Sequence, residues 1–255
     1  MLQIVLAGLA TTTTLMAVAW LLSLALRNVG VVDIFWGLAI AGAGGAWLLL
    51  QPDPGPRGAL ALLLAVLWAV RLALHILWRN RGKPEDRRYR VIRANNEPNF
   101  PVKSLYIVFL LQAVLAWLVA MPLLGTALST AGPLGFVDLL GVLVWLAGFL
   151  LQATADAQLA RFQQRADADR AVMNQGVWRY SRHPNYFGEF LMWWGIWLIA
   201  VAGGAWWTFF GPLLITFFLL KVSGVALTEK DIGSRRPEYA DYIRRTSAFV
   251  PRPPR

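Results

Sequence analysis

Apolar residues run through this chain in long blocks separated by short polar interruptions. A helix needs roughly 20 apolar residues to cross the hydrocarbon core of a bilayer. By that measure the blocks predict seven spans: Leu2 to Leu26, Val31 to Leu50, Ala59 to Trp78, Leu105 to Leu128, Leu134 to Ala155, Phe187 to Ala202 and Trp206 to Lys221. The last two are short and joined by Gly203-Gly204, which suits a tilted pair or one tight helical hairpin. Apolar spacing persists past Ala155 through Leu159 and Phe162, so the fifth helix should project beyond the membrane. The expected fold is an all-α polytopic membrane helix bundle of about seven transmembrane helices, its basic cytosolic loops forming a cofactor pocket. One integral domain over residues 1–255 is expected, with substrate-side helices in 1–128 and a cofactor motif in 129–255.

Composition supports lipid rather than a soluble core: 57% of residues are hydrophobic and only 15% charged. With no cysteine there is no disulfide or thiolate metal site, and two histidines, His75 and His183, argue against a dedicated metal centre. The net charge of +10 sits in loops, where it sets topology and meets anionic head groups of membrane lipids; nucleic acid is not an expected partner. No Lys or Arg precedes the first apolar block, which therefore reads as a retained span.

Charge also orients the bundle. Eight Lys/Arg lie between Arg79 and Lys103, five between Arg161 and Arg182, and eight from Lys221 onward, whereas Pro122 to Asp138 has none. The positive-inside rule places the three basic segments and the C-terminus in the cytosol. Seven spans then put the N-terminus outside, with Arg57 the single external exception and Pro52, Pro54 and Pro56 marking that loop as a turn.

Candidate chemistry lies at the cytosolic helix ends. Asp33 is near the start of the second span; a carboxylate at that depth is either functional or an acid facing a helix dipole. Arg71 and His75 share one face of the third helix, and the three could form a buried cluster in which His75 acts as a proton donor. The following loop carries Arg79, Asn80, Asp86, Arg88 and Tyr89, either a phosphate grip or topology-setting charge. AGAGG at residues 41–45 lacks a strand–turn–helix context and reads as close helix packing. Beyond the fifth span, Asp156, Arg161 and Arg165 could wall one side of a pocket.

The densest stretch is Gly176 to Glu189, GVWRYSRHPNYFGE, which offers Trp178, Tyr180, His183, Asn185, Tyr186 and Glu189 at the mouth of a helix opened by Pro184. Asn185 and Glu189 are four apart and face one way; a carboxylate with a carboxamide can hold a planar amide or a ribose. The alternative is an interface helix with a capping His-Pro and an aromatic belt. Glu229, Tyr239 and Tyr242 lie on a C-terminal amphipathic segment expected to fold back on the bundle.

SRHPNYFGE and the tail EYADYIRRTSAFVP resemble the C-terminal domain of the steroid 5-alpha-reductase family, including a bacterial group without assigned substrate; HPNYxG(D/E) is also similar to sterol C14 and C7 reductases. WRNRGKP resembles that family's Asn-Arg-Gly loop after the third span. The resemblance implies a seven-span reductase binding NADPH in a cytosol-facing cavity, with Asn185, Glu189, Asp156 and Asn80 at cofactor positions and hydride delivered to an enone. It weakens at the substrate: where the steroid enzymes have a Gln-Glu pair and a Tyr, this chain has Asp33 and Trp68, and Gln163 replaces an expected arginine. A steroid or another lipophilic enone fits equally. Isoprenylcysteine-type methyltransferases share RHPxYxG and a Glu-Tyr tail and bind S-adenosylmethionine. The many arginines suit the phosphates of NADPH better than that cation. A bacterial inner membrane is the expected location, and a non-enzymatic lipid-binding role is a further alternative.

Overall fold

A computed structural model describes residues 1–165, 167, 171–222, 224–225, 229 and 238–254. Arg170, Lys230, Arg235, Arg236 and Arg255, counted above among the basic segments, lie outside the described residues, as does most of the tail before Glu238. The described chain is all-α. Five of its helices are long and apolar enough to cross a membrane, and Trp206–Val222 is a shorter apolar one. The protein is therefore a polytopic membrane protein. Its backbone forms two compact units, residues 1–135 with 199–211, and residues 136–198 with 212–255.

The first unit is built on α1 (Leu2–Leu26), α2 (Val31–Leu49) and α3 (Pro56–Asn80). Helix α2 is the centre, packing on both neighbours. Five of its buried positions are small, Gly37, Ala39, Ala41, Ala43 and Gly44, beside Val31, Val32, Ile40 and Trp47. Small residues let backbones approach where no hydrophobic effect drives helices together in lipid. A methyl on Gly42 would sit 2.9 Å from Leu15 Cδ1 and one on Gly44 2.8 Å from Leu123 Cδ1, so this part of AGAGG is a packing surface. Trp47 is fully buried, and its indole donates to the Ile4 carbonyl of α1 at 2.8 Å. Thr11 and Thr12 bond back to the Ala7 and Leu9 carbonyls of their own helix.

Beyond α3 come the short polar helix α4 (Arg87–Asn95) and then a segment that departs from the expected straight fourth span. It starts early, at α5 (Phe100–Ser104), with Pro101 in the first turn; a π-helical turn Leu105–Leu110 follows, then α6 (Leu111–Val119). After a break at Ala120 the separate helix α7 (Met121–Ala127) is buried at every position. Arg57 is buried, and its guanidinium donates to the carbonyls of Ala131, Gly132 and Pro133, tying down the loop at residues 131–133.

In the second unit α8 (Phe136–Gln163) runs 28 residues, beyond what a span needs, as the apolar spacing implied. A 3-10 turn, Gly176–Arg179, leads to α9 (Pro184–Ala202), which begins at the expected proline. Helices α8 and α9 meet through glycines: a methyl on Gly188 would lie 2.6 Å from the Gly148 carbonyl, and one on Gly195 2.7 Å from that of Gly141. After a 3-10 turn come α10 (Phe210–Phe217) and a π turn Phe218–Val222, in place of one regular seventh span. Helix α11 (Tyr239–Arg245) opens the described C-terminal segment.

Candidate functional site

In the first unit the acidic and basic candidates gather around α4. Asp86 caps its N-terminus, accepting from Arg88 N–H at 2.9 Å. That bond points α4 so that Arg88 and Tyr89 reach Asp33: Nη2 to Oδ2 at 3.0 Å and the phenol to Oδ1 at 2.5 Å. Both oxygens of Asp33 are thus engaged by α4, and the expected cluster of Asp33 with Arg71 and His75 is not what forms at this carboxylate. His75 instead lies near Trp78, ring centroids 6.2 Å apart, and Arg71 is half-buried one turn earlier. Arg79 donates to Asn80 Oδ1 at 3.2 Å.

Electrostatics around α4 follow from these pairs. Burial works against the charge on Asp86, but its bonds from the Arg88 side chain and backbone outweigh it and hold the carboxyl below the usual range. Burial raises the Tyr89 phenol well above its ordinary value, and the Asp33 charge adds to that. Glu85, which sequence reasoning passed over, accepts Val29 N–H at 2.7 Å and binds Arg93 through both oxygens.

In the second unit the sequence candidates Asp156, Asn185 and Glu189 do come together. Asp156 is on α8 and the other two are on α9. Asn185 Nδ2 donates to Asp156 Oδ1 at 3.2 Å, and Gln152 Nε2 donates to Glu189 Oε2 at 3.0 Å. Each helix contributes one acid and one amide. Asp156, Gln152 and Glu189 are all buried. The glycine seam makes the arrangement possible, because Gly188 beside Glu189 rests against the Gln152 backbone. Gln152 was not among the sequence candidates. Its signal was available: a lone amide in an apolar run, one turn before Asp156 on the same face.

At the end of α8, Arg161, and Arg165 just past it, line a cavity of about 310 Å³ with Gln158 and Gly176. Arg165 pairs with Asp167 at 2.7 Å, which leaves Arg161 as the principal cation there. Gly176 has φ +57° and takes Gln158 where a side chain would stand; Gln158 Oε1 accepts Val177 N–H at 3.0 Å. A larger cavity, about 890 Å³, adjoins Gly176 and carries Arg179, Asn174, Arg245 and Asp241.

The remaining candidates are joined to one another. Trp178 is buried and donates to the Ala155 carbonyl of α8 at 3.0 Å, while Tyr180 is exposed. His183 stacks on Tyr186 with centroids 5.3 Å apart and meets Glu229 Oε1 at 3.0 Å. Tyr239 donates to Glu229 at 3.4 Å, and Tyr242 to the Trp178 and Ser181 carbonyls. At their centre is Arg182, missed as a site residue although it sits inside the quoted motif; it grips Glu229 through two bonds of 2.7 and 3.0 Å. Burial opposes the Glu229 charge, but bonds from His183 and Arg182 and the Arg182 charge win, holding its carboxyl at about 2. These polar atoms bind the expected fold-back of the tail, and Trp178, His183, Glu229, Tyr239 and Tyr242, the residues expected at a cofactor, all take part in it.

A protein of Schizosaccharomyces pombe, the uncharacterized protein C594.04c, is 26% identical over 274 residues, spanning 96% of this chain and 79% of that relative. Residues 19–246, which include both polar clusters and the whole of the α8–α9 motif, match one family description, and the chain accordingly belongs to the family described as "Protein of unknown function (DUF1295)".

Proposed function

We propose that this protein is an NADPH-dependent membrane reductase that saturates a conjugated C=C bond, an enone, of a steroid or other lipophilic substrate. The observation that carries the reading is the acid–amide quartet on α8 and α9, Gln152–Glu189 and Asn185–Asp156, three of whose members are buried. Ionisable side chains on apolar helices are costly and mark function by default. Their chemistry fits a nicotinamide dinucleotide: the amides match a carboxamide, and the acids accept ribose hydroxyls. Arg161, and Arg179 with Arg245, line two cavities in the same unit and supply cations for phosphates.

In this reading Asn185 and Glu189 orient the nicotinamide end and Arg161 holds a phosphate. Bound NADPH supplies the hydride for the β carbon. The candidate for protonating the reduced substrate is His75, with Arg71 one turn away, in the first unit. Asp33, engaged by Arg88 and Tyr89, is not assigned to catalysis. The proposal includes seven spans with the N-terminus outside and the basic segments in the cytosol, α9 and Trp206–Val222 supplying the last two.

Calorimetric titration of detergent-purified protein with NADPH, NADH and S-adenosylmethionine tests this. NADPH should bind, NADH at least about tenfold more weakly, and Asn185→Ala and Glu189→Gln should each lose about tenfold or more for NADPH while melting normally. Binding of S-adenosylmethionine alone would move the site to methyl transfer.

A further inference from the structure

The start of α9 is held by the far end of the chain. Arg182 is only 8% exposed, so its charge requires partners. Nε and Nη2 take the two oxygens of Glu229, while Nη1 donates to the carbonyls of Thr246 at 2.6 Å and Ile243 at 3.2 Å. Its own backbone N–H reaches the Ser247 carbonyl at 2.8 Å. The flanking residues repeat the pattern. Ser181 Oγ donates to the Phe249 carbonyl at 2.8 Å, and Arg252 N–H donates to that of Tyr180 at 2.9 Å. Phe249 then wedges edge-on against Phe187 and Phe190 of α9, centroids 5.4 and 5.7 Å away. The strap is tied to α8 as well, because Tyr242 bonds the Trp178 carbonyl and the Trp178 indole bonds Ala155, the neighbour of Asp156.

We propose that Arg182 and Glu229 are positioning residues. They lock the C-terminal strap across the start of α9 and so aim Asn185 and Glu189, three and seven residues further on, at the ligand. A planar fork with donors on three nitrogens makes this lock, and lysine cannot reproduce it. The inference borrows its ligand from the reductase reading, but the lock itself does not depend on that ligand.

The experiment combines two readouts on the full-length protein in detergent. In calorimetry, Arg182→Lys should weaken NADPH about tenfold, and on an Asn185→Ala background the same change should cost clearly less, since part of its effect runs through Asn185. In hydrogen exchange, Glu229→Gln should release the amides of residues 181–190 and 242–252 together while α1 to α3 stay protected. Equal losses from Arg182→Lys with and without Asn185 overturn the positioning role, as does unchanged exchange at 181–190 in Glu229→Gln. If Arg182→Lys fails to fold, Glu229→Gln carries the cycle with Asn185→Ala in its place. Should the wild type bind no NADPH, the reductase reading fails and exchange alone decides: joint release upholds the lock, and unchanged protection overturns it.

Discussion

Asp33 shows how a single carboxylate changes meaning once its partners are known. At the mouth of α2 it reads as a catalytic acid, yet Arg88 and Tyr89 occupy both oxygens, so its work is to latch α4 onto α2. Asp33→Asn removes the charge that Arg88 shares only with Asp86, a loss of about 1–3 kcal/mol for a charge-assisted bond. The expected result is a lower melting temperature and faster amide exchange over Arg87–Asn95. A variant that lost turnover with exchange in α4 unchanged would restore Asp33 to catalysis. Glu229 makes a second residue-level prediction. Its carboxyl is held at about 2 against an ordinary 4.5, so its contribution is complete above about 4.5 and drains away as pH falls toward 2. Pepsin, active across that window, should cut the 242–252 strap increasingly as pH drops, and the pH dependence should be flattened in Glu229→Gln. Sequence and family resemblance picked out Asn185, Glu189 and Asp156, because motif spacing carries them. Gln152 pairs with a residue 37 positions away, and Arg182 with one 47 away; no local pattern reports a partner at that range.

At the scale of elements, the close approach of α8 to α9 depends on glycine. The methyl of Gly188→Ala would meet backbone on the opposite helix, the Gly148 carbonyl at 2.6 Å and Gln152 N at 2.8 Å, and backbone cannot turn aside as a side chain can. The helices must separate, at a cost of about 1–3 kcal/mol or more, and the Gln152–Glu189 bond separates with them. Gly45→Ala is the control: nothing lies within 4 Å of its added methyl, and alanine in a helix interior is worth about 0.5–1 kcal/mol over glycine. Melting in one detergent should move in opposite directions for the two variants, with NADPH affinity falling only in Gly188→Ala. Hydropathy located the first three spans and the long α8 within a few residues, because lipid demands unbroken apolar helix. It could not see that the fourth block divides. Met121–Ala127 is as apolar as a span but buried throughout in protein, and an apolar run reads alike whether protein or lipid surrounds it.

For the whole molecule, helix length sets how many helices can cross. At 1.5 Å per residue the 19 residues of α9 rise about 28 Å, and the 17 of Trp206–Val222 about 26 Å, against a hydrocarbon core of about 30 Å. Both fall slightly short of that core, at the low end of the roughly 17–25 residues that span, and the Gly203-Gly204 turn between them carries no charge to hold it in the cytosol. The chain has no cysteine, so single cysteines can be labelled from either side without background. Lys83→Cys and Arg252→Cys, both at exposed basic sites, should react with a membrane-impermeant maleimide only in inside-out vesicles. Gly132→Cys, in the uncharged loop after the fourth block, should react only in right-side-out vesicles. Trp206→Cys decides the count. Seven crossings place it with Gly132, whereas five crossings, with α9 and its successor lying along the cytosolic face, place it with Lys83. In the second case Glu189 would sit in the interface rather than in the hydrocarbon. The penalty that makes a buried carboxylate a mark of function would then shrink, and the quartet would have to justify its role by ligand binding alone.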